Sequence, residues 1–84
     1  MYSKSLKAYL AKVDGKFIIT DTIDVYEVNE VGARIFDLCN GKNTSEDIAI
    51  VLAKKYGVNE EIVLEDVKNY VSILLNKNFN AACV

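Results

Sequence analysis

Two β-rich runs open the chain, "LKAYLAKV" over 6–13 and "KFIIT" over 16–20, and they flank Asp14-Gly15. A two-residue hairpin loop needs positive φ values, which Asp and Gly tolerate, so the pattern predicts an antiparallel hairpin. A third run, "IDVYEV" over 23–28, alternates with Ile23, Val25 and Glu27 on one face and Tyr26 and Val28 on the other. Polar residues bound it on both sides, which predicts a third antiparallel strand.

After Asn29 the apolar spacing changes from two to 3.6. Asn29 is a natural N-cap for "EVGARIFDLCN", in which Val31, Ile35, Leu38 and Cys39 share a side, and Gly41 follows where helices commonly end in a left-handed residue. "TSED" then has the capping-box spacing, with Thr44 and Asp47 reaching for each other's backbone, so a second helix starts there and stops at Gly57. Asn59 can cap a third, longer helix running to about Asn76 or Asn78, with Glu60 and Glu61 against the positive end of its dipole. The order is β-β-β-α-α-α, an α+β class domain. A three-stranded antiparallel sheet followed by three helices, the second and third joined by a short turn, suggests a winged helix-turn-helix.

Composition narrows what such a domain can do. With 84 residues, 51% of them hydrophobic and 26% charged, the chain reads as one small globular domain over 1–84. No apolar run approaches the roughly 20 residues that cross a bilayer, and "MYSKSLK" lacks the apolar stretch of a signal peptide, so the expected location is cytoplasmic. Cys39 and Cys83 are too few and too far apart for zinc or a disulfide framework. Cys39 is expected to be a small buried apolar residue in a helix, and Cys83 to sit in a mobile tail, "AACV". No metal site and no cofactor are expected.

A winged helix raises DNA binding as one reading, that of a transcriptional regulator. The charges oppose it. The formal net charge is −2, and the first turns of the would-be recognition helix carry Glu60, Glu61, Glu65 and Asp66 where phosphate binding needs Lys or Arg. Lys54 and Lys55 suit the end of the second helix without any ligand. Catalysis lacks a general base of the usual kind, because the chain has no histidine, and its adjacent acids sit in helix first or second turns that favour them. The expectation is no enzyme. A carrier protein would need a serine at a helix start, for which Ser45 nominally serves, but carriers are helical bundles and three strands are predicted.

The third helix has more apolar surface than one core face requires. Counted at 100° per residue from Ile62, positions Val63, Val67, Tyr70, Val71 and Leu74 cluster, while Ile62 and Ile73 lie to one side and Leu64 and Leu75 to the other. The arc spans about 220°, against little more than 100° for a one-sided helix. Part of it is a second packing face or a site open to a partner, and Asp66, Tyr70 and Lys77 mix with the Ile62 and Ile73 flank. The third strand has a free edge if it pairs only with the second. Such an edge can accept an added peptide strand, and Asp24 and Glu27 can equally serve to keep it from aggregating.

Three stretches in order, "VNEVGARIFDLCNG", "NTSEDIAIVLAKKYGV" and "LEDVKNYVSILLNKNF", resemble the PqqD-like proteins, the precursor-peptide recognition elements of pathways that make ribosomal, post-translationally modified peptides (RiPPs). The resemblance covers about residues 6–79. Phe36 stands where tryptophan is common, Tyr70 where phenylalanine is common, and Asn78-Phe79 where Gly-Leu is common. It implies a non-catalytic winged domain that binds the leader segment of a precursor peptide as an extra strand and presents it to a separate enzyme, such as a radical SAM maturase or a leader peptidase. Carried onto this chain, the strand side of the groove is Asp24, Val25, Tyr26, Glu27 and Val28. The helix side is Val63, Asp66, Val67, Tyr70 and Ile73. Which flank of the third helix meets the peptide is left open by the sequence.

Overall fold

A computed structural model describes residues 2–5, 7–21, 23–77 and 79–82. Five strands and three helices follow in the order β1 (Tyr2–Lys4), β2 (Tyr9–Val13), β3 (Lys16–Thr20), β4 (Val25–Val28), α1 (Glu30–Leu38), α2 (Ser45–Tyr56), α3 (Glu60–Asn76) and β5 (Asn80–Ala82). Strands β2, β3 and β4 form the expected antiparallel sheet in that order, and the three helices follow it. The fold is the α+β class expected from the pattern.

The local signals act as chemistry requires. Asp14 and Gly15 turn the hairpin with φ of 51° and 78°, both left-handed. Asn29 caps α1 by accepting from the Gly32 N–H at 2.8 Å. Thr44 and Asp47 make both bonds of the capping box, at 3.2 and 3.0 Å, and Gly57 ends α2 at φ 65°. Asn59 caps α3 by accepting from the Glu61 N–H at 2.8 Å.

Three details differ from the expectation. The third strand begins at Val25 and not at Ile23, because the Asp21 carboxylate accepts from the Ile23 and Asp24 N–H groups, both at 2.7 Å, and folds that segment into a turn. Helix α1 ends at Leu38, where the Cys39 N–H bonds back to the Phe36 carbonyl, and the left-handed Gly41 instead lets its N–H reach the Tyr2 carbonyl. Finally, β1 and β5 pair antiparallel as a second small sheet that the pattern did not predict. Three-residue strands carry too short an alternation to be read. Leu6, Asn78 and Cys83 of the sequence-based expectations lie outside the described residues.

Two core clusters meet on opposite sides of α1. Ile35 and Cys39 join Ile48, Leu52, Val63, Val67 and Val71 among the helices, and Ala33 and Phe36 join Ile19, Val28, Leu74 and Phe79 beneath the sheet. Cys39 is fully buried, as expected, but as the C-cap just past α1 and not as a helix residue. Among the described residues no helix is long and apolar enough to cross a membrane.

Candidate peptide-binding groove

Strand β4 is an edge strand of the three-stranded sheet. The register decides which of its backbone groups are free. In a two-residue hairpin the closing pair, here Val13 and Lys16, is hydrogen-bonded, and orientation then alternates along each strand. Lys16, Ile18 and Thr20 therefore turn their N–H and C=O groups toward β2, and Phe17 and Ile19 toward β4. Their partners on β4 are Val28 and Tyr26. Val25 and Glu27 are left with N–H and C=O groups facing away from the sheet. The neighbouring loop obeys the same alternation, since the Asp21 N–H donates to the Asp24 carbonyl at 3.2 Å.

The pleat separates the side chains. Tyr26 and Val28 belong to the inner, core-facing side with Ile19 and Phe17, while Val25 (70% exposed) and Glu27 belong to the outer side. Lys16 on β3 lies 3.8 Å from the Glu27 carboxylate there, a solvated pair.

The C-terminal half of α3 lies alongside this edge. The Tyr70 hydroxyl donates to Asn29 Oδ1 at 3.0 Å, just past the end of β4, and the Lys77 ammonium lies 4.8 Å from the centre of the Tyr26 ring. Asn29 Oδ1 thus holds the α1 cap and Tyr70 at once. Gly32 makes the approach possible, because a Cβ there would lie 2.7 Å from Tyr70 Cε1 and 3.0 Å from Val28 Cβ. Burial, followed by the nearby Tyr26 charge, pushes the Tyr70 phenol above its ordinary pKa, with Asp66 adding in the same direction and Asn29 opposing.

Helical spacing puts Ile62, Asp66, Tyr70, Ile73 and Lys77 on one flank of α3. Ile62 is 67% exposed and Ile73 is 37% exposed. The opposite flank is closed: Leu64 and Leu75 pack on the helical core cluster, as does Tyr2 of β1. About half of the excess apolar arc is therefore packing, supplied partly by a strand the sequence did not predict. The other half is open and lies on the β4 side.

The sequence-predicted groove residues divide accordingly. Val25, Tyr26, Glu27 and Tyr70 gather around the β4 edge. Ile73 and Asp66 share the Tyr70 flank of α3, with Asp66 beside Val31 and Tyr56. Val63 and Val67 do not join them: both are buried against Ile35, Ile48 and Leu52, because 100° steps carry them onto the core side. Val28 lends the groove a buried side chain from below. Asp24 lies in the turn before β4, with its N–H on the Asp21 carboxylate and its carbonyl accepting from Asp21 and from Thr20 Oγ1 at 2.7 Å, so its backbone is already occupied. Sequence reasoning left Asn29 and Gly32 out of the groove and placed Lys77 only on the Ile62 and Ile73 flank, not against the strand. The Asn-x-x-Gly spacing carried the first two, as a cap followed by a residue able to accept a ring against it.

A family profile described as "Coenzyme PQQ synthesis protein D (PqqD)" matches residues 18–79. The chain belongs to the PqqD family. The match runs from β3 to Phe79 and so takes in the β4 edge, all three helices and the Asn29–Tyr70 bond. No curated protein is matched. Among solved structures, the PqqD truncation of PqqCD from Methylobacterium extorquens, described as a functional and stand-alone RiPP recognition element, is similar at 17% identity and a TM-score of 0.83, covering 96% of this chain and 88% of that one. "TbiB1 in Complex with the TbiA(beta) Leader Peptide" is similar at 20% identity and a TM-score of 0.80, covering 98% of both chains. "Lasso peptide synthetase B1 complexed with the leader peptide" is similar at 17% identity and a TM-score of 0.80, covering 96% of this chain and 98% of that one. At these identities the likeness speaks to the fold.

Proposed function

We propose that this chain is a non-catalytic binding protein, residues 1–84 acting as a single recognition domain with its core at about 6–79, that captures the leader segment of a ribosomally made precursor peptide and presents it to a modifying enzyme. The observation that carries the reading is the open edge of β4 beside the uncovered flank of α3. Val25 and Glu27 offer two N–H donors and two C=O acceptors to an added strand, which is the backbone half of β-augmentation. The side-chain half follows from the pleat. A peptide residue opposite Tyr26 points inward, toward Tyr26, Tyr70, Ile73 and Lys77, while residues paired with Val25 and Glu27 point outward.

Family membership supports this reading, as does the fact that two similar structures are complexes with leader peptides. The partner enzyme is a radical SAM maturase or a leader peptidase, acting in the cytoplasm. DNA is the weaker candidate for α3, because Glu60, Glu61, Glu65 and Asp66 are all exposed on its first turns and would meet phosphates with like charge.

The test is calorimetry and amide NMR with the leader of the precursor encoded beside this chain. Binding at micromolar or tighter affinity, with the largest shifts at Val25, Glu27 and the Tyr70 to Lys77 segment, is expected. No heat and no shifts at millimolar peptide would falsify the reading.

A further inference from the structure

The sheet β2-β3-β4 is covered on one face. Its inner side chains belong to the core beneath it, but Tyr9, Ala11 and Val13 of β2, Ile18 and Thr20 of β3, and Val25 of β4 point the other way. Tyr9 is 57% exposed and Val13 is 49% exposed. A sheet wet on one side ordinarily carries polar residues there. This one carries tyrosine and β-branched chains, and the two charges among them, Lys16 and Glu27, form a solvated pair at 3.8 Å.

The size of the face limits what can occupy it. At about 4.8 Å between strands and about 3.3 Å per residue, two five-residue strands and the four-residue β4 present about 220 Å². That is ordinary for a monomer and far below the roughly 800 Å² each partner buries in a standing dimer, so the face by itself does not hold a second copy of this chain. Its position is what sets it apart. Val25 and Glu27 have their backbone groups on the peptide-binding edge and their side chains on this face. A peptide added to β4 therefore becomes a fourth strand of it, widening it to about 300 Å² and placing two of the peptide's own side chains flush with Val25 and Glu27.

We infer that this outer face, completed by the bound peptide strand, docks an apolar surface of the enzyme that modifies the peptide. The inference rests on the leader-binding reading above. Its consequence is coupling: the enzyme binds the loaded domain more tightly than the empty one and, by linkage, raises the domain's affinity for the leader by the same factor. A surface too small to hold the enzyme alone suits a carrier that must engage loaded and release empty.

The test uses the full chain, a synthetic leader from the precursor encoded beside it, and the purified peptide-modifying enzyme from the same gene neighbourhood. Tyr9→Glu and Val13→Glu lie on β2, two strands from the peptide edge. Each should leave leader affinity within about twofold while weakening the enzyme's hold on the loaded domain by about tenfold or more. Val13→Thr keeps the β-branched shape and exchanges one methyl for a hydroxyl, so it secures the test should a glutamate variant fail to fold, and it should weaken docking severalfold. Enzyme binding unchanged in folded variants, or equal for empty and loaded domain, overturns the inference while leaving leader capture intact. A wild-type dimer in sedimentation that these variants break also overturns it, in favour of self-association. Failure of the unaltered domain to bind the leader sinks the leader reading itself.

Discussion

Replacing Gly32 with alanine separates two opposing effects that sequence alone would rank the wrong way. On an isolated helix the change is favourable by up to about 1 kcal/mol, because glycine loses more backbone freedom on folding. In this fold the new methyl would sit 2.7 Å from Tyr70 Cε1, 3.0 Å from Tyr70 Cζ and 3.0 Å from Val28 Cβ. Carbon atoms pack at about 3.5–4.0 Å, so the ring must retreat by about 1 Å. Overpacking of this kind costs about 1–3 kcal/mol. The retreat also strains the 3.0 Å Tyr70–Asn29 bond, whose net value is about 1 kcal/mol. The sum is a destabilisation of about 1–2 kcal/mol, which for a domain of this size lowers Tm by about 4–16 °C. Thermal melts followed by circular dichroism measure it, and a double-mutant cycle assigns the cause. In a Tyr70→Ala background the clash with the ring is gone and only the 3.0 Å approach to Val28 Cβ remains, so Gly32→Ala should cost clearly less than in the parent. A Gly32→Ala protein as stable as its parent, or an equal loss in both backgrounds, would refute the argument that Gly32 exists to admit the Tyr70 ring.

The remaining predictions concern binding and pH. Val25→Pro and Glu27→Pro each delete an outward N–H and no ladder bond, so both should fold while leader affinity drops by about tenfold; tight binding by both in calorimetry would mean the peptide pairs elsewhere. Tyr70→Ala, in whatever fraction remains folded by circular dichroism, should lose about 2 kcal/mol of leader binding, whereas Lys54→Ala at the exposed end of α2 should change it by less than about 0.5 kcal/mol. A labelled promoter fragment should show no sequence-specific footprint at physiological salt, given the acids on the first turns of α3. Burial holds the Tyr70 proton more tightly in the folded state, so its contribution to stability is intact below the ordinary tyrosine pKa of about 10 and is lost as pH rises through the higher folded value. Melts across the alkaline range should therefore show a decline that Tyr70→Phe makes shallower; an unaltered slope would mean the phenol is not desolvated.

What the sequence determined by itself was local. Asp14-Gly15, Asn29, the Thr44–Asp47 box, Gly57 and Asn59 each specify a turn or cap through groups within three or four residues, so the main sheet and all three helices were legible from spacing. The acids on α3 and the absence of histidine were legible too, and with the motif order they pointed to peptide capture. What only the tertiary structure decided was relational. Whether an apolar arc on α3 is core or groove depends on what stands opposite it: Val63 and Val67 meet α1 and α2, Leu64 and Leu75 meet the helical core that Tyr2 also joins, and Ile62 and Ile73 stay 67% and 37% exposed outside that cluster. Helical periodicity gives the angle of each residue but not the positions of its neighbours. In the same way, alternation assigned side chains to the faces of β4, but which N–H groups point outward depended on the register with β3, fixed by the Asp14-Gly15 hairpin. The withdrawal of Asp24 into the Asp21 turn and the pairing of β1 with β5 across nearly the whole chain belong to the same class, since each turns on contacts that no local pattern encodes.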